Sequence, residues 1–290
     1  MTRRGILLGA TGGLLAAGGA GSLVECDVLP GRALTYDVLG VNGEPGEVPD
    51  LRAGPVDRGT LAGAEWWVAR PPGEGGARLP VVLALHPAGV HPTWLLEQLR
   101  PDRFLAASCQ RFALAAIHGG PRSYWHPRDD GTDAGALVLE RFLPMLADRG
   151  LDVRRPGFLG WSMGGFGALS LALRRRQAGQ QVGPVVAASP AVWEEYDDGT
   201  PGSFDGPDDF AEHSLFPRRA ELDRLDLRID CGRGDPFYRE VEELTDGLEH
   251  TEVHIEPGGH DAAYWSRVLP DQLAWLGARL NRPPAGSPRG

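Results

Sequence analysis

Gly157-Phe158-Leu159-Gly160-Trp161-Ser162-Met163-Gly164-Gly165-Phe166-Gly167-Ala168 is the stretch whose reading decides the fold. It contains G-x-S-x-G centred on Ser162, with an apolar run before it and a helix-forming run, Ala168 to Arg176, after it. A serine on such a strand-to-helix turn takes a strained backbone conformation that lifts its hydroxyl clear of the sheet. Gly160 and Gly164 are required because side chains there would collide as the chain doubles back. The same turn aims the first N–H groups of the helix at whatever the serine attacks.

The motif alone could be a glycine-rich helix start, so the surrounding chain must supply its context. Apolar runs at Glu65–Ala69, Val81–Leu85, Phe112–Ile117, Gly157–Leu159, Val185–Ala188, Leu227–Cys231 and Val253–Ile255 read as strands. Helix-like segments Trp94–Ser108, Ala134–Arg149, Met163–Arg176, Tyr238–Leu248 and Ala262–Leu280 separate most of them. Alternation of this kind predicts an α/β fold, a mostly parallel sheet with helices on both faces. Continuous apolar strands fit burial on both sides. Residues 189–224 interrupt the rhythm after the Val185–Ala188 strand and are too long for a simple connection. Ligands in open α/β sheets bind beyond the carboxyl ends of the strands, so this insertion is placed to cap the site.

At 290 residues, 42% hydrophobic and 23% charged, the chain suits one large domain. The expected division is 1–26 as an export or anchoring segment, 27–63 as an irregular lead-in, 64–282 as the α/β domain and 283–290 as a frayed tail. A net charge of −10 argues against nucleic acid and anionic membrane surfaces as partners. Cys26, Cys109 and Cys231 are too few and scattered for a disulfide framework or zinc site, and the last two read as small core residues. Arg3-Arg4 directly before the uncharged stretch Gly5–Val24 resembles a twin-arginine export signal. The expectation is an exported protein, secreted or associated with the cell envelope, with membrane anchoring by this segment as the alternative.

A serine nucleophile on this sheet needs an acid and then a histidine, in that chain order. His260, in Gly258-Gly259-His260-Asp261, lies in the loop between a strand and the last helix and is the expected general base. His213, His250 and His254 occupy the insertion, a helix end and a strand. Of the two carboxylates near Cys231, Asp230 is within the strand and reads as structural. Asp235 lies in the loop beyond and can hold the imidazole tautomer, or merely cap the next helix. The second oxyanion donor should come from His86-Pro87-Ala88-Gly89. Pro87 has no N–H, so the Ala88 N–H is expected to pair with that of Met163, while His86 shapes the loop. Tyr124, Trp125 and His126, with Trp161, are candidate substrate-lining aromatics; surface packing is the other reading. No cofactor is expected. No metal is expected either, because the histidines are scattered along the chain.

The elbow, Cys231-Gly232-x-x-Asp235-Pro236-Phe237 and Gly258-Gly259-His260-Asp261-x-x-Tyr264-Trp265 together resemble the esterase D / antigen 85 branch of the α/β-hydrolase superfamily. The resemblance covers about residues 64 to 281. It implies an α/β-hydrolase fold, a Ser162–Asp235–His260 triad and chemistry on carboxyl esters of small molecules or lipids. Acyl transfer to an alcohol, or binding without catalysis, are the alternatives it leaves. Pro87 departs from the His-Gly that many hydrolases carry there.

Overall fold

The computed structural model describes residues 32–280. The expected export segment, Cys26 and the tail therefore lie outside the described residues. Eight strands form one sheet: β1 (Val56–Leu61), β2 (Ala64–Ala69), β3 (Pro80–Leu85), β4 (Ala113–Ile117), β5 (Asp152–Trp161), β6 (Val185–Ala188), β7 (Leu227–Gly232) and β8 (Glu252–Glu256). Their order is β1-β2-β4-β3-β5-β6-β7-β8. The β1–β2 and β2–β4 pairs are antiparallel and the others parallel. This is the mostly parallel sheet expected from the alternating pattern, in the α/β-hydrolase arrangement that the resemblance implied.

Each central strand contributes alternate residues to two apolar layers. Val81, Leu83 and Leu85 join Phe166, Leu169 and Leu173 of the helix Met163–Gln177 on one face. Val82 and Ala84 join Phe104, Leu105, Leu269 and Leu273 of the helices Pro101–Ser108 and Ala262–Leu280 on the other. Period-2 alternation splits one apolar run between two cores, which is why the central strands carry no polar face. Asp230 interrupts the second layer. It is fully buried, and its carboxylate receives the Arg228 guanidinium at 2.6 Å and the Gln272 amide at 2.9 Å. It is structural, as its place within the strand implied.

The register aligns the chemistry. Leu85 pairs with Gly160, Trp161 with Ala188, Ala188 with Asp230, and Gly232 with Glu256. The carboxyl ends of β3, β5, β6, β7 and β8 thus finish at similar levels. The loops that leave them begin at His86, Ser162, Ser189, Arg233 and Pro257.

Several elements differ from the sequence expectation. The lead-in 27–63 is not wholly irregular: it contains a helix, Arg32–Leu39, and all of β1. An edge strand reading Val-Asp-Arg-Gly-Thr-Leu needs little apolar surface, so its composition hides it. The expected helix Trp94–Ser108 is broken at Arg100, whose φ is 50°. Pro101 follows it, and a proline disfavours the right-handed helical conformation in the residue before it. The segment 134–149 is helical but has a π-helical stretch, Leu137–Phe142, that ends two residues before Pro144, which lacks an N–H for a helical bond. β5 runs ten residues from Asp152, whereas only Gly157–Leu159 looks like a strand in sequence. Its first half is charged and carries Pro156, and the β3–β5 register shifts there. Cys231 is buried as expected, but Cys109 is exposed, at the end of its helix with φ 54°.

Candidate active site

Ser162 sits between β5 and the helix Met163–Gln177 with φ 56° and ψ −119°. Such a conformation in a non-glycine residue costs roughly 1–3 kcal/mol, so the surroundings must enforce it. They do so with backbone bonds: Ser162 N–H donates to the Ala188 carbonyl at 3.0 Å, and the Ser162 carbonyl accepts from Phe166 and Ala191. Close approach completes the constraint. A Cβ on Gly160 would strike the Gly164 carbonyl, and one on Gly164 would strike the Leu85 carbonyl. The two glycines of the motif thus let the elbow fold over itself and lie flat against the exit of β3.

His260 joins the serine to the acid. Its Nε2 lies 2.9 Å from Ser162 Oγ and its Nδ1 lies 2.8 Å from Asp235 Oδ2. An ionised carboxylate only accepts, so Nδ1 carries the proton and Nε2 offers its lone pair to the serine hydroxyl. Asp235 is almost fully buried, and its other oxygen, Oδ1, accepts the Phe237 N–H at 2.9 Å. Its carboxylate thus makes both contacts its sequence position allowed, one to the imidazole and one to the N–H just before the helix Tyr238–Thr245. The imidazole is clasped edge-on by Phe237 and Trp265, each with its ring centroid 5.1 Å away. Trp265 is fixed in turn by its indole N–H to Ser189 Oγ at 2.9 Å.

The loop after β3 is held by His86, which is fully buried. Its Nε2 accepts the Gly119 N–H at 3.1 Å, which places the proton on Nδ1, 2.8 Å from the Pro87 carbonyl. His86 therefore ties the loops after β3 and β4 together and sets the direction of the chain entering Ala88, the shaping role expected of it. Ala88 is half-buried against the core. Met163 begins the helix, where N–H groups have no partner within the helix.

Burial lowers the His86 pKa to about 4; the Pro87 carbonyl partly offsets this, and His118 and His91 lower it further. In an unfolded chain this histidine titrates near 6.5, so between about pH 4 and 6.5 the unfolded state binds more protons. Stability contributed by neutral His86 is complete above that window and is lost as pH falls through it, by about 3 kcal/mol. Urea titrations at about pH 7 and about pH 4.5 should show a smaller acid-induced drop in His86→Gln than in the wild type. Equal drops would place the acid sensitivity elsewhere.

The four aromatic candidates are placed differently from the substrate-lining expectation. Trp161 is wholly buried in the layer that includes Val186, Tyr264 and Leu269. Trp125, also wholly buried, packs 5.1 Å from His86. Tyr124 packs against Phe166 and Trp193, and His126 stacks on Phe204 at 5.1 Å. Tyr124 and His126 bind the insertion to the elbow helix, and Tyr124 and Trp125 both have positive φ. Residues 124–126 lie in a loop at a strand's carboxyl end, as expected, but alternation gives no signal for side-chain direction in a loop, and Trp161 ends β5 itself.

It also missed the lead-in's contribution. Arg267, in the last helix, donates to the carbonyls of Asn42 at 3.0 Å, Glu44 at 2.8 Å and Pro257. The Gly46 N–H donates to Ala263 at 2.9 Å. The lead-in thereby braces the loop that presents His260. Contacts across more than 200 residues leave no local pattern to read.

Comparison with known proteins agrees with this fold. The Esterase family model, described as "Putative esterase", matches residues 68–276. No curated protein sequence matches the chain. Among solved structures it is similar to a ferulic acid esterase, at 18% identity and TM-score 0.63, over 78% of this chain and 99% of that one. An S-formylglutathione hydrolase from Agrobacterium tumefaciens aligns at 17% identity and TM-score 0.62, over 78% and 95%. A fluorophosphonate-binding serine hydrolase from Staphylococcus aureus aligns at 18% identity and TM-score 0.63, over 79% and 98%. At these identities the structural likeness speaks for the fold.

Proposed function

The chain belongs to the Esterase family of α/β-hydrolase serine esterases, carboxylic ester hydrolases, and from that premise we propose that it cleaves small-molecule esters through an acyl-enzyme on Ser162. The observation that carries this reading is the unbroken relay from Ser162 Oγ through His260 to Asp235, with links of 2.9 and 2.8 Å. Ser162 Oγ attacks the ester carbonyl while His260 Nε2 takes its proton, forming the tetrahedral intermediate. Asp235 holds Nδ1–H in place and stabilises the imidazolium without being protonated. The N–H groups of Met163 and Ala88 receive the oxyanion. Collapse breaks the ester C–O bond, and the leaving alcohol takes the proton back from Nε2. A water then repeats the sequence on the acyl-enzyme, giving its proton to His260, and the acid leaves as Ser162 Oγ regains a proton.

A fluorophosphonate probe reports on the activated serine directly. The wild type is expected to be labelled stoichiometrically, and Ser162→Ala to resist labelling. Equal labelling of the two proteins would remove Ser162 from the nucleophile's role.

A further inference from the structure

The insertion 189–224 meets the loop after β4 at a cluster the catalytic relay does not use. His126, Asp209 and His213 each bring one potential ligand atom to within 4.8 Å of the others. Asp209 and His213 lie one turn apart on the helix Pro207–His213, while His126 comes from the body of the fold. Spacing between histidines alone carries no sign of this aspartate–histidine pair, since the second histidine lies far away in sequence.

We propose that these three side chains bind a divalent transition-metal ion of the zinc type and that the ion pins the insertion to the body of the enzyme. Asp209 Oδ1 is 3.1 Å from His213 Nδ1 and 3.5 Å from His126 Nδ1. Ligands about 2.1 Å from a tetrahedral zinc ion are separated by roughly 3.4 Å, so small adjustments close the shell. The supporting contacts are those that ligating groups use. The Nε2 of His126 faces the Ser203 carbonyl at 3.1 Å, which fixes the ring and leaves Nδ1 as the ligand. The second carboxylate oxygen of Asp209 is held by the Asp205 N–H at 2.8 Å.

His126 also shows the need for a positive centre. Its two ring nitrogens both face carbonyl oxygens, Ser203 at 3.1 Å and Pro127 at 2.8 Å. A neutral imidazole has one N–H, so the other nitrogen points a lone pair into oxygens within a wholly buried ring. A cation bound at Nδ1 relieves this and can use the Pro127 oxygen as well. Nearby positive charge is already compensated: Arg128 pairs with Asp205, Arg174 with Asp133 and Arg218 with Glu221. A cavity of about 240 Å³ bordered by both histidines offers room for a water ligand and a route of entry. Two imidazoles and one carboxylate suit zinc and its neighbours in the first transition row better than calcium or magnesium.

The test uses the full chain stripped with EDTA and titrated with zinc chloride in a calorimeter. One ion per chain should bind, with Tm rising by roughly 5 °C at a hundredfold excess over Kd. His213→Ala and Asp209→Asn should each weaken that binding by at least about 100-fold, as loss of a direct ligand exceeds outer-shell effects. Both variants should keep fluorophosphonate labelling, which shows that they are folded. Zinc should also slow proteolysis within 189–224 in the wild type and not in His213→Ala. No uptake by the wild type, or uptake undiminished in both variants, would overturn the proposal.

Discussion

Ser162→Ala is expected to lower kcat for a short-chain aryl ester by roughly 10⁴- to 10⁶-fold while leaving the fold intact. The size follows from what is lost. Without Oγ there is no acyl-enzyme, and His260 can at best activate water against an ester held by the remaining donors. The backbone loses nothing, because the serine side chain does not cap the helix it precedes. Its N–H and carbonyl keep their bonds to Ala188, Phe166 and Ala191. Alanine is as strained as serine at φ 56°, so Tm should move little. Ser162→Gly separates the two properties further. Glycine accepts positive φ without strain, so this variant should be as inactive as the alanine variant and more stable by about 1 kcal/mol. Stability bought at the expense of the nucleophile is the trade a strained elbow implies. An alanine variant retaining more than a hundredth of wild-type turnover would mean that the chemistry lies at another residue.

The parts of this site that were legible in sequence are those governed by local rules. Strand, elbow and helix around Ser162 follow from apolar alternation and two glycines, and the order Ser162, Asp235, His260 follows from which loops leave the carboxyl edge. Where prolines act on neighbours, the reading blurs. Arg100 before Pro101, the π-helical stretch before Pro144 and the charged first half of β5 all resist a simple periodicity. Contacts between distant segments leave still less trace. Nothing near Asn42 announces that Arg267 will hold it, or that the hold steadies the His260 loop. Burial of Trp125 likewise depends on the positive φ of two aromatic residues, which residue type alone argues against.

Two aspartates five positions apart, Asp230 and Asp235, provide a test that separates catalysis from architecture. Both are buried, but only Asp235 touches His260. Asp235→Asn keeps an oxygen for the Phe237 N–H, so the helix start survives. The amide then turns its NH₂ group toward His260 Nδ1. The imidazole must accept there, which moves its proton to Nε2 and leaves no lone pair for the Ser162 hydroxyl. Turnover should fall by about 10⁴-fold with Tm nearly unchanged, the response expected when a triad acid is replaced by its amide. Asp230→Asn should do the reverse. It strips the charge from the partner of buried Arg228, which costs roughly 3–5 kcal/mol of stability. Below its reduced Tm, that variant should keep the wild-type pH profile of kcat, because its carboxylate addresses Arg228 and Gln272 and not the imidazole. If Asp230→Asn lost turnover as Asp235→Asn is expected to, without loss of stability, the orienting role would belong to the strand aspartate. The opposite pattern, activity lost at 235 and stability lost at 230, requires that the loop beyond β7 supplies the triad's acid while the strand itself carries only the charge that Arg228 needs.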